Sequence, residues 1–262
     1  MDLIYNHSMK NQDPSQEQLQ SVLNLYTHGK LQQALSESSQ MLERFPNSVV
    51  LHNISGASNA ALKRFDAAID SYQQALRIKP DYAEVHNNMG SVMKDKGDLE
   101  QAIESYQQAL RIKPDYAVAH NNMAKAMKDK GDLEEAIESY KQALRIKPDY
   151  ADAYNNLGIA LKDKGDLNEA IDSFKQAIRI KPDYAAAYYN MGVTLKDKGD
   201  LNEAIDCYKQ TIRIRPDYAD AYNNLGNVFK GKGDLNEAID CYKQAIRIRP
   251  DYAAAYYNMG NS

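Results

Sequence analysis

Residues 83–116 read AEVHNNMGSVMKDKGDLEQAIESYQQALRIKPDY, and this stretch decides the fold. Apolar and small residues recur at helical spacing on both sides of Gly97, which indicates two helices joined by a short turn. We predict a first helix from about Ala83 to Lys94 and a second helix from Leu99 to about Ile112. Pro114 ends the second helix because proline lacks the backbone N–H that a continuing helix needs.

The ends of these helices carry residues that commonly cap helices. Asp81 and Glu84 have the spacing of a capping box for the first helix, and Asp98 is the expected cap of the second. Gly97 lies where a left-handed residue closes a helix. Small and aromatic residues at helical spacing form the predicted shared core, namely Met89, Gly90, Leu99, Ala102, Ile103, Tyr106 and Ala109.

The same pattern recurs along the chain at a constant spacing. Proline marks the period at Pro46, Pro80, Pro114, Pro148, Pro182, Pro216 and Pro250. The register defines repeats 15–48, 49–82, 83–116, 117–150, 151–184, 185–218 and 219–252, with a partial repeat at 253–262. A single repeat cannot bury its apolar face alone, so consecutive repeats are expected to stack into a solenoid. Repeats 151–184 and 219–252 agree at 27 of 34 places, which suggests duplication of a two-repeat block.

The two ends depart from the register. Residues 1–14 are polar and precede it, so we predict a flexible N-terminal segment followed by a repeat domain at 15–262. The sequence stops at Gly260–Ser262, inside the first helix of an eighth repeat. We expect either that the array continues in a longer protein or that this end packs on another molecule.

Charge and composition disfavour several partners. The formal net charge is −4, whereas arrays that read RNA need a basic surface to neutralise phosphates. The sequence contains no run of 18 apolar residues and no signal peptide, so we predict no membrane partner and a cytoplasmic location. Cys207 and Cys241 fall at equivalent places of consecutive repeats, too far apart for a disulfide, and are predicted to be free thiols.

The repeats resemble the tetratricopeptide repeat (TPR) family. The resemblance rests on Asn-Asn-Met/Leu-Gly, an alanine twelve residues after the glycine, an aromatic residue four later, an alanine three later and a proline five later. It implies an all-α, right-handed superhelical solenoid of antiparallel helix pairs. The place that the family usually gives to tryptophan holds His52, His86, His120, Tyr154, Tyr188, Tyr222 and Tyr256, which leaves the predicted fold unchanged. We interpret the three histidines as core filler.

Three short motifs suggest chemistry but lack essential parts. The stretch 226–233 is similar to a phosphate-binding loop, yet it lacks the closing Ser or Thr and a preceding strand. The stretch 95–98 lacks the alternating oxygen ligands of a calcium loop. The three histidines lie one to a repeat and cannot converge on one zinc ion. We therefore predict no catalytic residue, no metal, no cofactor and no enzymatic activity in this chain.

Asparagine recurs once per repeat on the predicted first helix, at Asn88, Asn122, Asn156, Asn190, Asn224 and Asn258. Asparagine is a mediocre helix former, but its amide offers one acceptor oxygen and two donor hydrogens. A ladder of such amides along one wall can pair with successive peptide groups of an extended ligand. The alternative is that each asparagine bonds a neighbouring backbone group and steadies the packing of repeats.

This ladder resembles that of the superhelical TPR domain of O-linked N-acetylglucosamine transferases, in which such asparagines hold the backbone of the acceptor peptide. The resemblance implies a protein–protein interaction scaffold that binds an extended polypeptide in a concave groove. The predicted site includes flanking groove residues at Asn87, Asn121, Asn155, Tyr189 and Asn223. Partner selectivity would come from variable places at Ser91, Lys125, Ile159, Val193 and Asn227.

Two alternative functions stay open. In one, the array is the substrate-recruiting arm of a larger glycosyltransferase or sulfotransferase whose catalytic domain is absent from this sequence. In the other, it is a module that self-associates end to end through its C-terminal end.

Basic residues in the groove are few. The basic residues of a chaperone-tail carboxylate clamp are absent from the groove places. Lysines at the end of each first helix are predicted to be solvated and paired with the aspartate that follows, at Lys94, Lys128, Lys162 and Lys196, whereas Lys230 precedes Gly231.

Overall fold

The computed structural model describes residues 13–262, and 80% of these residues are helical. Fifteen α-helices and no β-strand occur in this part of the chain, and consecutive helices pack in pairs. The predicted all-α fold is confirmed. The segment predicted to be flexible falls mostly on residues 1–12, which lie outside the described residues. Contacts divide the chain into an N-terminal half that ends at Gly131 and a C-terminal half that begins at Asp132.

In the N-terminal half, odd-numbered helices are the first helices of their repeats and even-numbered helices are the second. The helices are α1 (Gln16–Thr27), α2 (Leu31–Arg44), α3 (Val49–Ala61), α4 (Phe65–Ile78), α5 (Ala83–Lys96), α6 (Leu99–Ile112) and α7 (Ala117–Lys130). Each helix packs against the next along the chain, as stacking of incomplete apolar faces requires.

The C-terminal half keeps the same alternation. Its helices are α8 (Leu133–Ile146), α9 (Ala151–Lys164), α10 (Leu167–Ile180), α11 (Ala185–Lys198), α12 (Leu201–Ile214), α13 (Ala219–Lys232), α14 (Leu235–Ile248) and α15 (Ala253–Gly260). Neighbouring helices again pack side by side. The period of the sequence is thus a period of helix pairs.

The helix ends agree only partly with the predicted caps. Gly97 closes α5 with a φ of 96°, the left-handed conformation that was expected, although α5 runs to Lys96 rather than Lys94. The predicted capping box at Asp81 and Glu84 is wrong, because Tyr82 is the N-cap residue and makes no side-chain capping bond. Asp98 flanks α6 as predicted, but its side chain does not cap the helix either.

In the complete repeats from 49–82 onwards, the second helix buries one aromatic ring against the first, whereas repeat 15–48 has Ser38 at this place. Tyr106 and Phe174 are fully buried, and both lie against a glycine of the preceding helix. A Cβ atom added at Gly90 would lie 2.9 Å from the Tyr106 ring, and one added at Gly158 would lie 2.6 Å from the Phe174 ring. In these two repeats the close approach of the helices therefore requires glycine, as the sequence pattern predicted, whereas repeat 117–150 has Ala124 at this place.

The hydroxyl groups of these buried tyrosines are not equally satisfied. Tyr106 donates to Ser91 Oγ at 3.1 Å, and Tyr242 donates to Asn227 Oδ1 at 2.9 Å, in each case fifteen residues earlier. The residue fifteen places before Tyr208 is Val193, which offers no acceptor. Among the residues that the structure describes, the buried Tyr208 hydroxyl has no partner.

We expect Tyr208→Phe to stabilise the C-terminal half by about 1 kcal/mol, because it removes a buried hydroxyl that makes no hydrogen bond. Tyr106→Phe is the matched control, and it should cost about 0.5–1.5 kcal/mol because a bond to Ser91 is lost. Denaturant unfolding followed by circular dichroism compares the two variants with the parent protein. Equal losses in both variants would contradict the prediction.

Candidate functional site

The first helices of consecutive repeats share one face in each half. In the N-terminal half α1, α3, α5 and α7 contact one another in that order, and in the C-terminal half α9, α11, α13 and α15 do the same. The second helices pack mainly against first helices instead. The first helices therefore lie closer to one another, and their shared face, which we call the first-helix wall, is the inner side of each half.

The ladder asparagines bridge neighbouring repeats along this wall. In the N-terminal half the Asn88 amide donates to Asn53 Oδ1 at 3.3 Å, and the Asn122 amide donates to Asn87 Oδ1 at 3.1 Å. The same bond recurs in the C-terminal half at 2.9–3.0 Å, from Asn190 to Asn155, from Asn224 to the Tyr189 hydroxyl and from Asn258 to Asn223. Each of these ladder asparagines therefore ties its repeat to the one before.

The bridging bond uses only part of the ladder amide. An asparagine amide carries two N–H donors and an oxygen with two acceptor positions. One N–H of the Asn88 amide donates to Asn53 Oδ1, and Asn88 Oδ1 accepts a long hydrogen bond of 3.4 Å from the Asn87 amide. The ladder side chains are half-buried, so part of each side chain stays accessible. The bridging bond holds the amide in one orientation in successive repeats.

The flanking asparagines lie deeper than the ladder. The predicted flanking residues that are asparagine are only 5–6% exposed, namely Asn87, Asn121, Asn155 and Asn223. The oxygens of Asn87, Asn155 and Asn223 accept the ladder bonds. A side chain with so little exposed area offers a ligand almost no contact surface.

Tyr189 takes the place of a flanking asparagine and builds an aromatic pair. Its ring stacks on Tyr218, with centroids 4.9 Å apart and an interplanar angle of 26°. Its hydroxyl accepts the ladder bond from Asn224, so the bridge between repeats is kept. The guanidinium of Arg215 lies 4.6 Å from the Tyr218 ring centroid. This half-buried cluster adds apolar surface to the first-helix wall of the C-terminal half.

A second set of contacts, which was not predicted, joins a first helix to the loop that leads into the next first helix. The Tyr252 hydroxyl donates to Asp220 at 2.6 Å, and Arg249 donates to both oxygens of the same carboxylate at 3.0 and 3.3 Å. Burial acts to raise the pKa of Asp220, but the bonds from Arg249 and Tyr252 outweigh it and lower that pKa below its usual value. The Tyr184 hydroxyl makes the corresponding bond to Asp152 at 2.8 Å.

The sequence contained a signal for these contacts. Every repeat from 49–82 onwards ends in Pro-Asp-Tyr, and the second residue of the repeats is acidic at Glu84, Asp152 and Asp220. The repeats that alternate with them have apolar residues there, at Val50, Val118, Ala186 and Ala254. The alternation follows the two-repeat block noted in the sequence. A tyrosine at the end of a repeat, together with an acidic residue at the second place of the same repeat, could have predicted this hydrogen bond.

The interpretation of the histidines as core filler needs correction. Their rings are half-buried, and each Nε2 atom lies 2.9–3.0 Å from the carbonyl oxygen of a proline six residues earlier, pairing His52 with Pro46, His86 with Pro80 and His120 with Pro114. The bond ties the loop that enters each first helix to the helix itself. These rings therefore fix the start of the helix rather than only filling the core.

Other chemistry is sparse in the described part of the chain. No group of three or more His, Cys, Asp or Glu residues within 13–262 is placed to hold a metal ion. Cys207 and Cys241 are free thiols, as predicted, and burial raises their pKa to about 12 and about 11. None of the helices described has the length and apolar character needed to cross a membrane.

Comparison with protein families gives matches along most of the chain. A family described as TPR repeat matches residues 60–97, 92–131, 125–165 and 158–199. A second, described as tetratricopeptide repeat, matches residues 183–251. No curated protein matches the chain.

Several solved structures are similar to this chain. MamA is 32% identical with a TM-score of 0.59, and the match covers 63% of this chain and 96% of MamA. YrrB, described as a TPR protein with an unusual peptide-binding site, is 23% identical with a TM-score of 0.59 and coverages of 72% and 97%. PilF from Pseudomonas aeruginosa is 18% identical with a TM-score of 0.70 and coverages of 80% and 96%. The last two similarities concern the fold alone.

Proposed function

This chain belongs to the tetratricopeptide repeat family, and from that premise we propose that the first-helix wall of each half binds an extended polypeptide. The chain acts as an interaction scaffold without catalytic activity of its own. One observation carries the proposal, namely that successive repeats present a ladder amide held in the same orientation. A cytoplasmic location stays a prediction from the sequence.

The spacing of the ladder suits an extended backbone. Packed helices lie about 8–10 Å apart, and an extended chain rises about 3.3 Å per residue. One ladder amide therefore meets about every third residue of a bound polypeptide. Because the amide keeps both donor and acceptor capacity, it can accept from a peptide N–H and donate to a peptide C=O. Such recognition depends on the backbone and tolerates many side-chain sequences.

The proposed contact residues are the ladder asparagines, assisted by Tyr189. The ladder consists of Asn88, Asn122, Asn156, Asn190, Asn224 and Asn258. The flanking Asn87, Asn121, Asn155 and Asn223 form the supporting layer of the site, since their side chains are buried. Tyr189 adds ring surface for an apolar side chain of the ligand. YrrB offers a precedent for a TPR protein with a peptide-binding site.

The finer alternatives stay predictions from the sequence. The resemblance of the ladder to that of O-linked N-acetylglucosamine transferases favours a recruiting arm of a larger enzyme, with the same peptide-binding wall. Self-association through the C-terminal end also stays a prediction from the sequence. Light scattering at increasing protein concentration separates this alternative from a monomeric scaffold.

Recognition of the backbone can be tested with a peptide selected from a displayed library of short random sequences, because its affinity should depend on peptide N–H groups and little on the order of its side chains. Shuffling its sequence should change the dissociation constant by less than about threefold, because side chains contribute little. N-methylation of every third residue should weaken binding by at least about tenfold in one of the three registers, because peptide N–H donors to the ladder are lost. Fluorescence anisotropy with labelled peptides measures both effects.

N-methylation of every third residue can start at the first, second or third residue, which gives three peptides. These peptides serve as controls for one another, since each lacks a different set of backbone N–H donors. The proposal is contradicted if the library yields no binder, or if all three methylated peptides bind as tightly as the parent peptide. It is also contradicted if shuffling abolishes binding while methylation does not, since recognition would then depend on side chains.

A further inference from the structure

An imidazole and two thioethers lie together in one cavity of the N-terminal half. His86, Met89 and Met93 follow one another on α5 at spacings of three and four residues, so neighbouring side chains share one surface of the helix. All three line a partly open cavity of about 420 Å³. Residues of α6 complete its lining, namely Gln101, Glu104, Ser105 and Gln108. These side chains face α6, whereas the ladder asparagine Asn88 lies on the first-helix wall.

The His86 ring has the hydrogen bonding that metal-binding histidines usually have. Its Nε2 atom lies 2.9 Å from the Pro80 carbonyl oxygen, which can only accept, so Nε2 carries the proton. Nδ1 therefore keeps its lone pair, and within the described part of the chain this buried atom has no hydrogen-bond partner. Metal-ligating histidines commonly donate their other ring N–H to a backbone carbonyl, which fixes the ring. Nδ1 of His86 is thus an unused ligand atom in a fixed ring.

The two sulfur atoms are close enough to share an ion with this ring. Along the helix axis Met89 lies about 4.5 Å from His86 and about 6 Å from Met93, distances that these side chains span. Ser105 donates to Met93 Sδ at 3.3 Å, which shows that this sulfur can be reached from a side chain lining the cavity. Methionine has three rotatable bonds and a polarisable sulfur, so both thioethers can adjust to an ion at the level of Met89.

The same three residue types recur on α7 at the same spacing, as His120, Met123 and Met127. The Nε2 atom of His120 lies 3.0 Å from the Pro114 carbonyl oxygen. The Nδ1 atom of His120 is again buried, with no hydrogen-bond partner among residues 13–262. The arrangement around His86 is therefore repeated one helix pair later.

Other repeats do not combine these residues. Repeat 49–82 keeps the histidine but has serine and asparagine at the two methionine places, and repeat 185–218 has Met191 without the histidine or the second methionine. Repeat 151–184 has Leu157 and Leu161 there, and both are buried. Leucine therefore serves the packing at these places, and two methionines occur together only beside a histidine.

We propose that His86, Met89 and Met93 bind a soft monovalent metal ion, Cu(I) or its analogue Ag(I), and that the trio on α7 forms a second such site. Thioether ligands select Cu(I), and imidazole also suits copper. The prediction of no metal from the sequence concerned zinc and calcium, which bind nitrogen, oxygen and thiolate ligands rather than thioethers. The inference does not depend on peptide binding.

Titration calorimetry with Ag(I) nitrate in chloride-free buffer tests the proposal. Thiols also bind silver, so the parent chain is compared with a chain carrying Cys207→Ser and Cys241→Ser, since four other repeats have serine at this place. In the cysteine-free chain we expect at least two ions to bind, with dissociation constants below about 10 µM. Zn²⁺ should bind at least about 100-fold more weakly. In spectra of ¹³C-methyl-methionine the resonances of Met89 and Met93 should shift with Ag(I).

Substitutions taken from another repeat locate the site. His86→Tyr, Met89→Leu and Met93→Leu together give α5 the residues of repeat 151–184, so the variant should fold, which circular dichroism checks. We expect it to lose one tightly bound ion, with affinity at that place reduced by at least about tenfold. The corresponding changes on α7 should remove the second ion. If the triple variant does not fold, Met93→Leu alone must lower the affinity at this site.

Met191→Leu is the matched control, because Met191 takes the place of Met89 but has Tyr188 and Leu195 as neighbours at the other two places. Its affinity for Ag(I) should stay within about twofold of the parent value. The inference is wrong if the cysteine-free chain binds no Ag(I) below about 10 µM, or if the folded α5 variant binds as many ions as tightly. Equal affinity for Zn²⁺, or methyl shifts confined to other methionines, would also overturn it.

Discussion

Replacing Asn156, Asn190 and Asn224 together by alanine should weaken binding of the library-selected peptide roughly 10- to 1,000-fold. Each lost hydrogen bond to the peptide backbone contributes about 0.5–1.5 kcal/mol net, and three consecutive repeats lose one each. The measurement is the dissociation constant from anisotropy, corrected for the folded fraction of each sample. Each single substitution should show only a part of this loss.

The same variant should also lose stability, and the structure gives the reason. Asn190 donates to the buried Asn155, and Asn224 donates to Tyr189. Removing the donors leaves the Asn155 oxygen buried without this bond, which costs about 1–3 kcal/mol at such a site. The higher helix propensity of alanine offsets part of this loss.

Asn155→Ala separates the two roles of the ladder. It removes the buried partner and keeps Asn190 on the wall, so stability falls while the ligand-facing amide remains. We expect this control to lose much less affinity per folded molecule than the triple variant. If the triple variant melts at a lower temperature but binds the peptide as tightly per folded molecule, the ladder serves packing only and the proposed function is wrong.

Phe174→Ala should be the most destabilising single substitution in the C-terminal half, at about 3–5 kcal/mol. The ring is fully buried between α9 and α10, against Gly158, and alanine would leave a cavity that two helices cannot close without moving. Hydrogen exchange should show loss of protection in α9 and α10 first, because each repeat contacts only its neighbours.

Lys175→Ala is the control for Phe174→Ala, since Lys175 is the next residue on the same helix and is exposed. It should change stability by no more than about 0.5 kcal/mol. Denaturant unfolding and hydrogen exchange on both variants make the comparison. If Phe174→Ala costs no more than its control, or if protection is lost evenly over all helices, the ring does not have this local role.

Much of the fold was predictable because the same pattern of apolar residues, glycine and proline occurs in seven successive repeats. The helices Leu99–Ile112 and Ala83–Lys96 follow from apolar spacing, from Gly97 and from Pro114, all of which act within one repeat. The glycines that admit Tyr106 and Phe174 were predictable for the same reason. Local signals of this kind need only neighbouring residues, and seven repetitions leave little ambiguity.

The candidate site depended on contacts that no local pattern encodes. Stacking sets which asparagine faces outwards and which is buried, since the bond from Asn122 to Asn87 joins two different repeats. The capping prediction failed at Asp81, where His86 bonds the loop carbonyl of Pro80 instead. The helices, the period and the family thus follow from the sequence alone, because short-range propensity governs them. The tertiary contacts set which amides are held in place and which donors stay free, because these depend on the geometry between side chains of different repeats.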